Sequence, residues 1–309
     1  MISVIICTHN PRPDFFQRVI NALKNQTLET SQWEIIIVDN ASTEPLEGNW
    51  DISWHPHARC VRELAIGLTP ARLRGICEAN GEILLFVDDD CELHLEYLEN
   101  VLAIDKLHPS LGTWGGQCHP EFEVTPEDWM KEFWGHWTIR IFNKEQWSND
   151  YDRDSSMPWG AGICVRSQVA KEYLVKTKGD AFLCSLGRTA DRLLSCEDLF
   201  MVICGQSLNL GFGIFPQLKL NHLIPKNRIT EKYLLRAVEG HAYSWLLLKS
   251  RLGEDVLIMP IGKIRRKLGK WRRKLTMPRR ERLFFEARLA GQQEAAVVVN
   301  SLKNTNSEL

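Results

Sequence analysis

The clearest hydrophobic signal is the unbroken run Ile83-Leu84-Leu85-Phe86-Val87, preceded by Gly81-Glu82 and closed by Asp88-Asp89-Asp90. A continuous apolar run of this length predicts a strand covered on both faces, as in a parallel sheet. Two earlier runs have the same texture, Ile2 to Cys7 and Trp33 to Val38. Between them Phe15, Val19, Ala22 and Leu23 form an apolar stripe at helical spacing, predicting a helix from about Asp14 to Lys24. Strand, helix, strand at this spacing predicts a right-handed parallel crossover. Ala58 to Arg62 reads as a short third strand, Gly67 to Glu78 as a helix, and a further helix is expected near Leu93. Asp39 and the Asp triplet then both fall at carboxyl ends of parallel strands, beside the loop Thr8-His9-Asn10-Pro11.

From about Leu111 the pattern changes. Six of the eleven Trp lie between 114 and 159 (Trp114, Trp129, Trp134, Trp137, Trp147 and Trp159), and Gly115-Gly116 sits in an expected strand. Trp159 to Arg166 reads as a strand opening on small residues, with Ser167 as the cap of the next helix. Glu197-Asp198 precedes an apolar helical segment, Leu199 to Leu208, and Phe212 to Phe215 and Lys219 to His222 read as short strands. Thr230 opens a long helix to about Arg251, and a last helix fills roughly Arg279 to Leu302.

Composition narrows the class. The chain has 309 residues, 44% hydrophobic and 25% charged, with a net charge of −1, so no global field argues for nucleic acid. Its nine Cys include no Cys-x-x-Cys pair, which fits reduced thiols in a cytoplasm better than a disulfide framework or a zinc site. Met1 to Cys7 reads as a first strand and not a signal peptide, and no apolar stretch approaches the ~18 residues of a membrane span.

Three consecutive carboxylates cannot stay inside a fully covered strand, because each buried unpaired charge costs several kcal/mol. The triplet therefore belongs where the strand emerges, at the edge where open α/β sheets bind ligands. In extended chain, residues i and i+2 point the same way, so Asp88 and Asp90 can converge on one cation. Oxygen ligands suit Mg²⁺ or Mn²⁺, commonly held by carboxylates together with substrate phosphates. The competing reading is a solvated acidic turn ahead of a helix.

Five motifs in order carry a resemblance: Ser3-Val4-Ile5-Ile6-Cys7-Thr8-His9-Asn10-Pro11-Arg12, Ile35-Ile36-Ile37-Val38-Asp39-Asn40-Ala41-Ser42, Gly67-Leu68-Thr69-Pro70-Ala71-Arg72-Leu73-Arg74-Gly75, the strand ending in Asp88-Asp89-Asp90, and Cys196-Glu197-Asp198. Over roughly residues 2 to 240 the chain resembles the inverting glycosyltransferases of family 2, whose catalytic domain has the GT-A fold. That resemblance implies an α/β, Rossmann-like, mostly parallel mixed sheet with helices on both faces, binding a nucleotide-sugar (a UDP-sugar is expected) and Mn²⁺ or Mg²⁺. It places Asp88 at the ribose or metal shell, Asp90 on the metal, and Asp89 with them at the nucleotide-sugar. Asp39 would accept from the base, Thr8 and Asn10 would line that end, and Arg72 would face the nucleotide or diphosphate. Inversion needs a base for the acceptor hydroxyl. The Glu-Asp pair gives Asp198 that role and Glu197 a part in orienting the acceptor, although carboxylates at a helix start are also favoured by capping alone. His222 is a candidate third metal ligand or a structural histidine, and Lys226 and Arg228 could close over the diphosphate. Trp159 and Gly160 are expected at the acceptor, while the other Trp could be core anchors. Two departures stand out: Asn40 where many members have a second Asp, and Leu73 where many have Asn.

The expected organisation is a GT-A domain over 1–252, with a nucleotide-binding half to about 110 and an acceptor half from about 111, then a helical extension over 253–309. Within that extension eight Lys and Arg fall in the twelve residues 263–274, with Ile261, Ile264, Leu268, Trp271 and Leu275 at helical spacing. Such a basic amphipathic stripe at 261–275 predicts either an interfacial helix on an anionic membrane or a helix packed on the domain. The expected location is cytoplasmic, peripheral to the inner face of the cell membrane, where lipid-linked acceptors would be met. Saccharides are the other acceptor class, and surface polysaccharide or glycan synthesis the expected role. A sugar-phosphate nucleotidyltransferase or a dehydrogenase would need a Gly-rich loop after the first strand, where this chain has Thr8-His9-Asn10-Pro11. A non-catalytic sugar-binding protein on the same scaffold is the remaining alternative.

Overall fold

A computed structural model describes residues 1–151, 155–184, 186–188, 192–254 and 272–306. The strands are β1 Ile2–Thr8, β2 Trp33–Asn40, β3 Ala58–Glu63, β4 Ile83–Asp88, β5 Cys91–Leu93, β6 Leu111–Phe122, β7 Gln146–Ser148, β8 Ile163–Arg166 and β9 Gly211–Ile224. The helices are α1 Pro13–Lys24, α2 Leu68–Glu78, α3 Tyr97–Leu107, α4 Ser167–Thr177, α5 Ala181–Cys184, α6 Glu197–Ile203, α7 Glu231–Arg251 and α8 Arg279–Asn306. The strands form one mixed sheet in the order β3-β2-β1-β4-β8-β6-β9-β5, with β7 on the flank of β9. β1, β2, β3 and β4 are mutually parallel, and β8 enters antiparallel between β4 and β6.

The apolar runs take the expected role. Ile2, Val4, Ile6, Ile35, Ile37, Ile83, Leu85 and Val87 are buried together on one face with Phe16, Val19 and Leu23 of α1. Gly75 of α2 lets that helix approach the other face, since a Cβ there would lie 2.5 Å from the Ile5 side chain.

Four local expectations are corrected. The chain after Asp90 does not enter a helix near Leu93: Cys91–Leu93 pairs with β9, and the helix begins only at Tyr97. The strand expected from Trp159 is regular only over Ile163–Arg166, because Gly162 takes a left-handed φ of 73°. Ser167 makes no capping bond and is already the first helical residue. The two short strands after Gly211 are one 14-residue strand. Pro216 interrupts its ladder without ending it, because the register with β6 shifts at Gly115/Gln117 and Gln117 donates to the Pro216 carbonyl at 2.8 Å.

Contacts divide the chain into two compact units. The first comprises Met1–Gly187 and Glu197–Lys226 and holds the sheet. The second is built on α7 and α8 with the stretch before Glu197. Thr230 caps α7 by accepting from the Tyr233 N–H at 3.1 Å, as expected. Gly291 of α8 lies so close to α7 that a Cβ would meet the Glu239 carbonyl oxygen at 2.1 Å, and Arg279 forms a two-pronged ion pair with Glu231. Most of the basic stripe at 261–275 falls in 255–271, outside the described residues. Among the described residues no helix is long and apolar enough to cross a membrane.

One buried group in the first unit should make stability depend on pH. His55 is packed edge-on against Trp33 at 4.3 Å, and its Nδ1 accepts from the His57 N–H at 3.1 Å. Burial, helped by His57, lowers its pKa from 6.5 to about 4. A depressed histidine pKa stabilises the fold fully above the unfolded value. That contribution is lost as pH falls from about 6.5 towards 4. Discounted for solvent screening of the ring, the expected loss over this window is on the order of 1 kcal/mol. His55→Asn keeps an acceptor for His57 and cannot titrate. Denaturant unfolding should therefore show a shallower acid loss in the variant; equal pH slopes would refute the assignment.

Candidate active site

The parallel register sets the carboxyl ends side by side, with Thr8 opposite Asp39 and Cys7 opposite Asp88. Around this edge the loops are tied to one another. The Thr8 hydroxyl donates to the Asp89 carboxylate. Asn10 sits at a left-handed φ of 50°, its N–H donating to Ser42 Oγ at 2.9 Å and its side-chain oxygen accepting from the Thr43 N–H at 2.8 Å. The Asp39 carboxylate is buried and busy: it accepts from the N–H groups of Ser42 and Leu46 and pairs with Arg62 at 2.9 Å. The residue expected to meet the base is thus also the knot that folds the loop after β2.

Asn40 explains its own departure from the family's Asp. Its amide donates to the carbonyls of Glu63 at 3.3 Å and Ala65 at 2.7 Å, and its oxygen accepts from the Gly67 N–H at 2.8 Å. A carboxylate could make the last bond and neither of the first two. The amide therefore fixes the entry to α2, the helix that carries Arg72.

Arg72 is the electrostatic centre. Buried, with its guanidinium 5.3 Å above the Phe86 ring, it pairs with Glu197 at 3.1 Å and lies 4.0 Å from Asp88. Burial works against its charge, but Glu197, Asp88 and Asp198 more than offset that, and its pKa is raised. On the other side, Gly160 donates its N–H to Asp198 Oδ2 at 2.7 Å, while Asp198 Oδ1 accepts from the Leu199 N–H at 2.8 Å. A Cβ on Gly160 would lie 3.0 Å from Arg72 Nη2 and 3.1 Å from Asp198 Oδ2. Arg72, Asp88, Gly160, Glu197 and Asp198 therefore share one cluster. Trp159 adjoins it, 36% exposed, whereas Trp114 and Trp137 are core residues.

The third group lies where β5 meets β9. Cys91 pairs directly with His222, bringing Asp90 Oδ2 within 3.5 Å of His222 Nε2. His222 Nδ1 is 2.7 Å from the Trp137 carbonyl, so it carries the proton and leaves Nε2 towards Asp90. Burial alone would lower the His222 pKa, but the adjacent Asp90 carboxylate overrides it and lifts the value to about 10, so Nε2 carries a proton towards Asp90 that a cation would have to displace. Asp90, Cys91 and His222 each offer a ligand atom within 4.8 Å of the others. The Cys91 thiol is held well above its ordinary range by burial and Asp90, leaving carboxylate and imidazole as the donors. That set offers a divalent cation one carboxylate oxygen and one imidazole nitrogen.

Lys226 follows β9 with an exposed side chain, and its backbone N–H donates to Glu123 at 2.7 Å. Glu123 also pairs with Arg12 at 2.8 Å; those two bonds hold its pKa down at about 2. Arg228 belongs to the second compact unit. Sequence reasoning overlooked Glu123, which belongs to no motif and joins Arg12 to the Lys226 backbone across more than a hundred positions each way.

Comparison with known proteins places this geometry. Residues 3–174, more than half of the chain, match the family described as Glycosyl transferase family 2. The chain belongs to that family. Glycosyltransferase AglE of Haloferax volcanii is 32% identical over 101 residues, covering 32% of this chain and 33% of that relative. Mouse polypeptide N-acetylgalactosaminyltransferase 16 is 34% identical over 101 residues, or 18% of its length. The chain thus spans a third or less of these two curated relatives. Among solved structures, S. aureus TarS 1-349 in complex with UDP has a TM-score of 0.53 at 15% identity, covering 98% of this chain and 91% of that one. The same protein in complex with UDP-GlcNAc gives 0.51 at 15% identity, covering 79% and 66%. At this identity the likeness is one of fold, and the fold of this family member is the GT-A arrangement: a mixed, mostly parallel sheet flanked by helices.

Proposed function

We propose that this chain is a metal-dependent inverting glycosyltransferase moving a sugar from a nucleotide-sugar, a UDP-sugar by preference, to a hydroxyl of a saccharide or lipid-linked acceptor. The observation that carries the reading is the cluster at the carboxyl edge. There a buried guanidinium, Arg72, stands between the Asp-x-Asp strand and the Glu197-Asp198 pair.

In this reading Thr8, Asn10, Asp39, Asp88 and Asp89 form the donor end, and Arg72 faces the diphosphate. Asp90 and His222 would hold the cation, and Asp88 would contribute to its shell. When bound, the cation offsets the charge that develops on the departing nucleoside diphosphate. Asp198 takes the proton from the acceptor hydroxyl as its oxygen attacks the anomeric carbon. The N–H groups of Gly160 and Leu199 hold the carboxylate for that transfer. Glu197, paired with Arg72, orients the acceptor side, and the half-exposed Trp159 supplies a flat apolar face for a sugar ring. Lys226 closes over the diphosphate from the loop held by Glu123.

A donor screen tests the reading. Thermal unfolding is followed with UDP-, GDP- and dTDP-sugars in Mn²⁺. One nucleotide class should stabilise the chain, by about 2.7 kcal/mol at a hundred times its Kd. No stabilisation by any of them would overturn donor binding.

A further inference from the structure

Arg140 lies outside every motif, yet it is tied into the candidate site from both its backbone and its side chain. Its backbone bridges β6: the Cys118 N–H donates to the Arg140 carbonyl at 2.9 Å, and the Arg140 N–H donates to the Cys118 carbonyl at 3.1 Å. From that fixed base its Nη1 donates to the Met157 carbonyl at 2.6 Å and its Nη2 to the Ser155 carbonyl. The same guanidinium lies 4.9 Å from the centre of the Trp159 ring. One cation thus contacts residues 155, 157 and 159, in a stretch that belongs to no strand or helix.

We infer that Arg140 is a positioning residue for the transfer, holding the Trp159-Gly160 segment so that the Gly160 N–H is aimed at Asp198. The inference rests on the reading of Asp198 as the base. The path is short. Ser156 and Met157 are buried, Trp159 lies beneath the cation, and Gly160 donates to Asp198 Oδ2 at 2.7 Å. Gly160 has little room for error, because Arg72 and Asp198 lie close on the side where a Cβ would project. A fork of two nitrogens is needed to reach two carbonyls while the charge lies over an indole. Lysine offers a single ammonium and no plane.

The test uses the full chain and compares Arg140→Ala, Arg140→Lys and wild type by amide hydrogen exchange, UDP binding in Mn²⁺, and turnover of the donor found in the screen. In both variants the Gly160 amide should exchange at least ~10-fold faster, while the amides of β1 and β4 are unchanged. The Kd for UDP should stay within ~2-fold, and kcat should fall by ~10-fold or more at constant donor KM, a loss confined to the transition state. Wild-type exchange at Gly160 in either folded variant overturns the inference. So does a UDP affinity that falls in parallel with kcat, which would mark a general loss of structure. If Arg140→Ala does not fold, Arg140→Lys decides alone on the same criteria. Near wild-type turnover in Asp198→Asn would instead remove the base assignment and leave the exchange result standing.

Discussion

Replacing Asp90 by asparagine is expected to reduce sugar transfer by ~10³-fold or more, the scale of losing several kcal/mol of charge stabilisation on a diphosphate leaving group. The substitution is close to isosteric but removes the negative charge beside His222, 3.5 Å away. Two effects then act together. A bound cation would lose its carboxylate, and His222 loses the partner that raises its pKa against burial. Stabilisation of the chain by UDP in Mn²⁺ should fall with the activity, and EDTA should reproduce both effects in the wild type. Full turnover in EDTA, or in the Asp90→Asn enzyme, would remove the metal from the mechanism.

Asp198→Asn should lose at least ~10² in kcat, the lower range for removing a general base. Here donor binding should survive. Asp198 is bonded to the N–H groups of Gly160 and Leu199, and asparagine can keep one of these bonds while losing its basicity. The two variants therefore separate the chemistry. Asp90→Asn should weaken UDP binding in Mn²⁺ as well as turnover, whereas Asp198→Asn should affect turnover alone. A variant with near wild-type kcat would reduce Asp198 to a helix-start residue.

Much of the first half was legible because its strands are buried on both faces and advertise themselves as apolar runs. β1, β2 and β4 fall within one or two residues of the expected limits, and with them the edge that carries Thr8, Asp39 and Asp88. The later half was less legible where tertiary pairing overrides local pattern. Cys91–Leu93 has no strand-like length, and only β9 makes it a strand. Pro216 reads as a break, yet a register shift opposite Gly115 and Gln117 carries the strand through it. In the site the motifs located Arg72, Asp198 and Gly160 separately, and the structure brings them together. Arg140 left no trace in the pattern, because it bonds to main-chain groups and a main-chain partner has no sequence signature.

Asp90 and His222 stand 132 positions apart in the chain (222 − 90), yet their separation is set by a three-residue ladder, in which Cys91 pairs with His222 and Leu93 with Leu220. The loops between β5 and β9 can therefore change in length without altering that spacing, provided β8 and β6 still hold β9 in the sheet beside β5. That interval contains the Trp-rich stretch, Trp159 and Glu197-Asp198. Under the proposed function, loop changes in that interval would alter the acceptor side while leaving the Asp90–His222 spacing as it is.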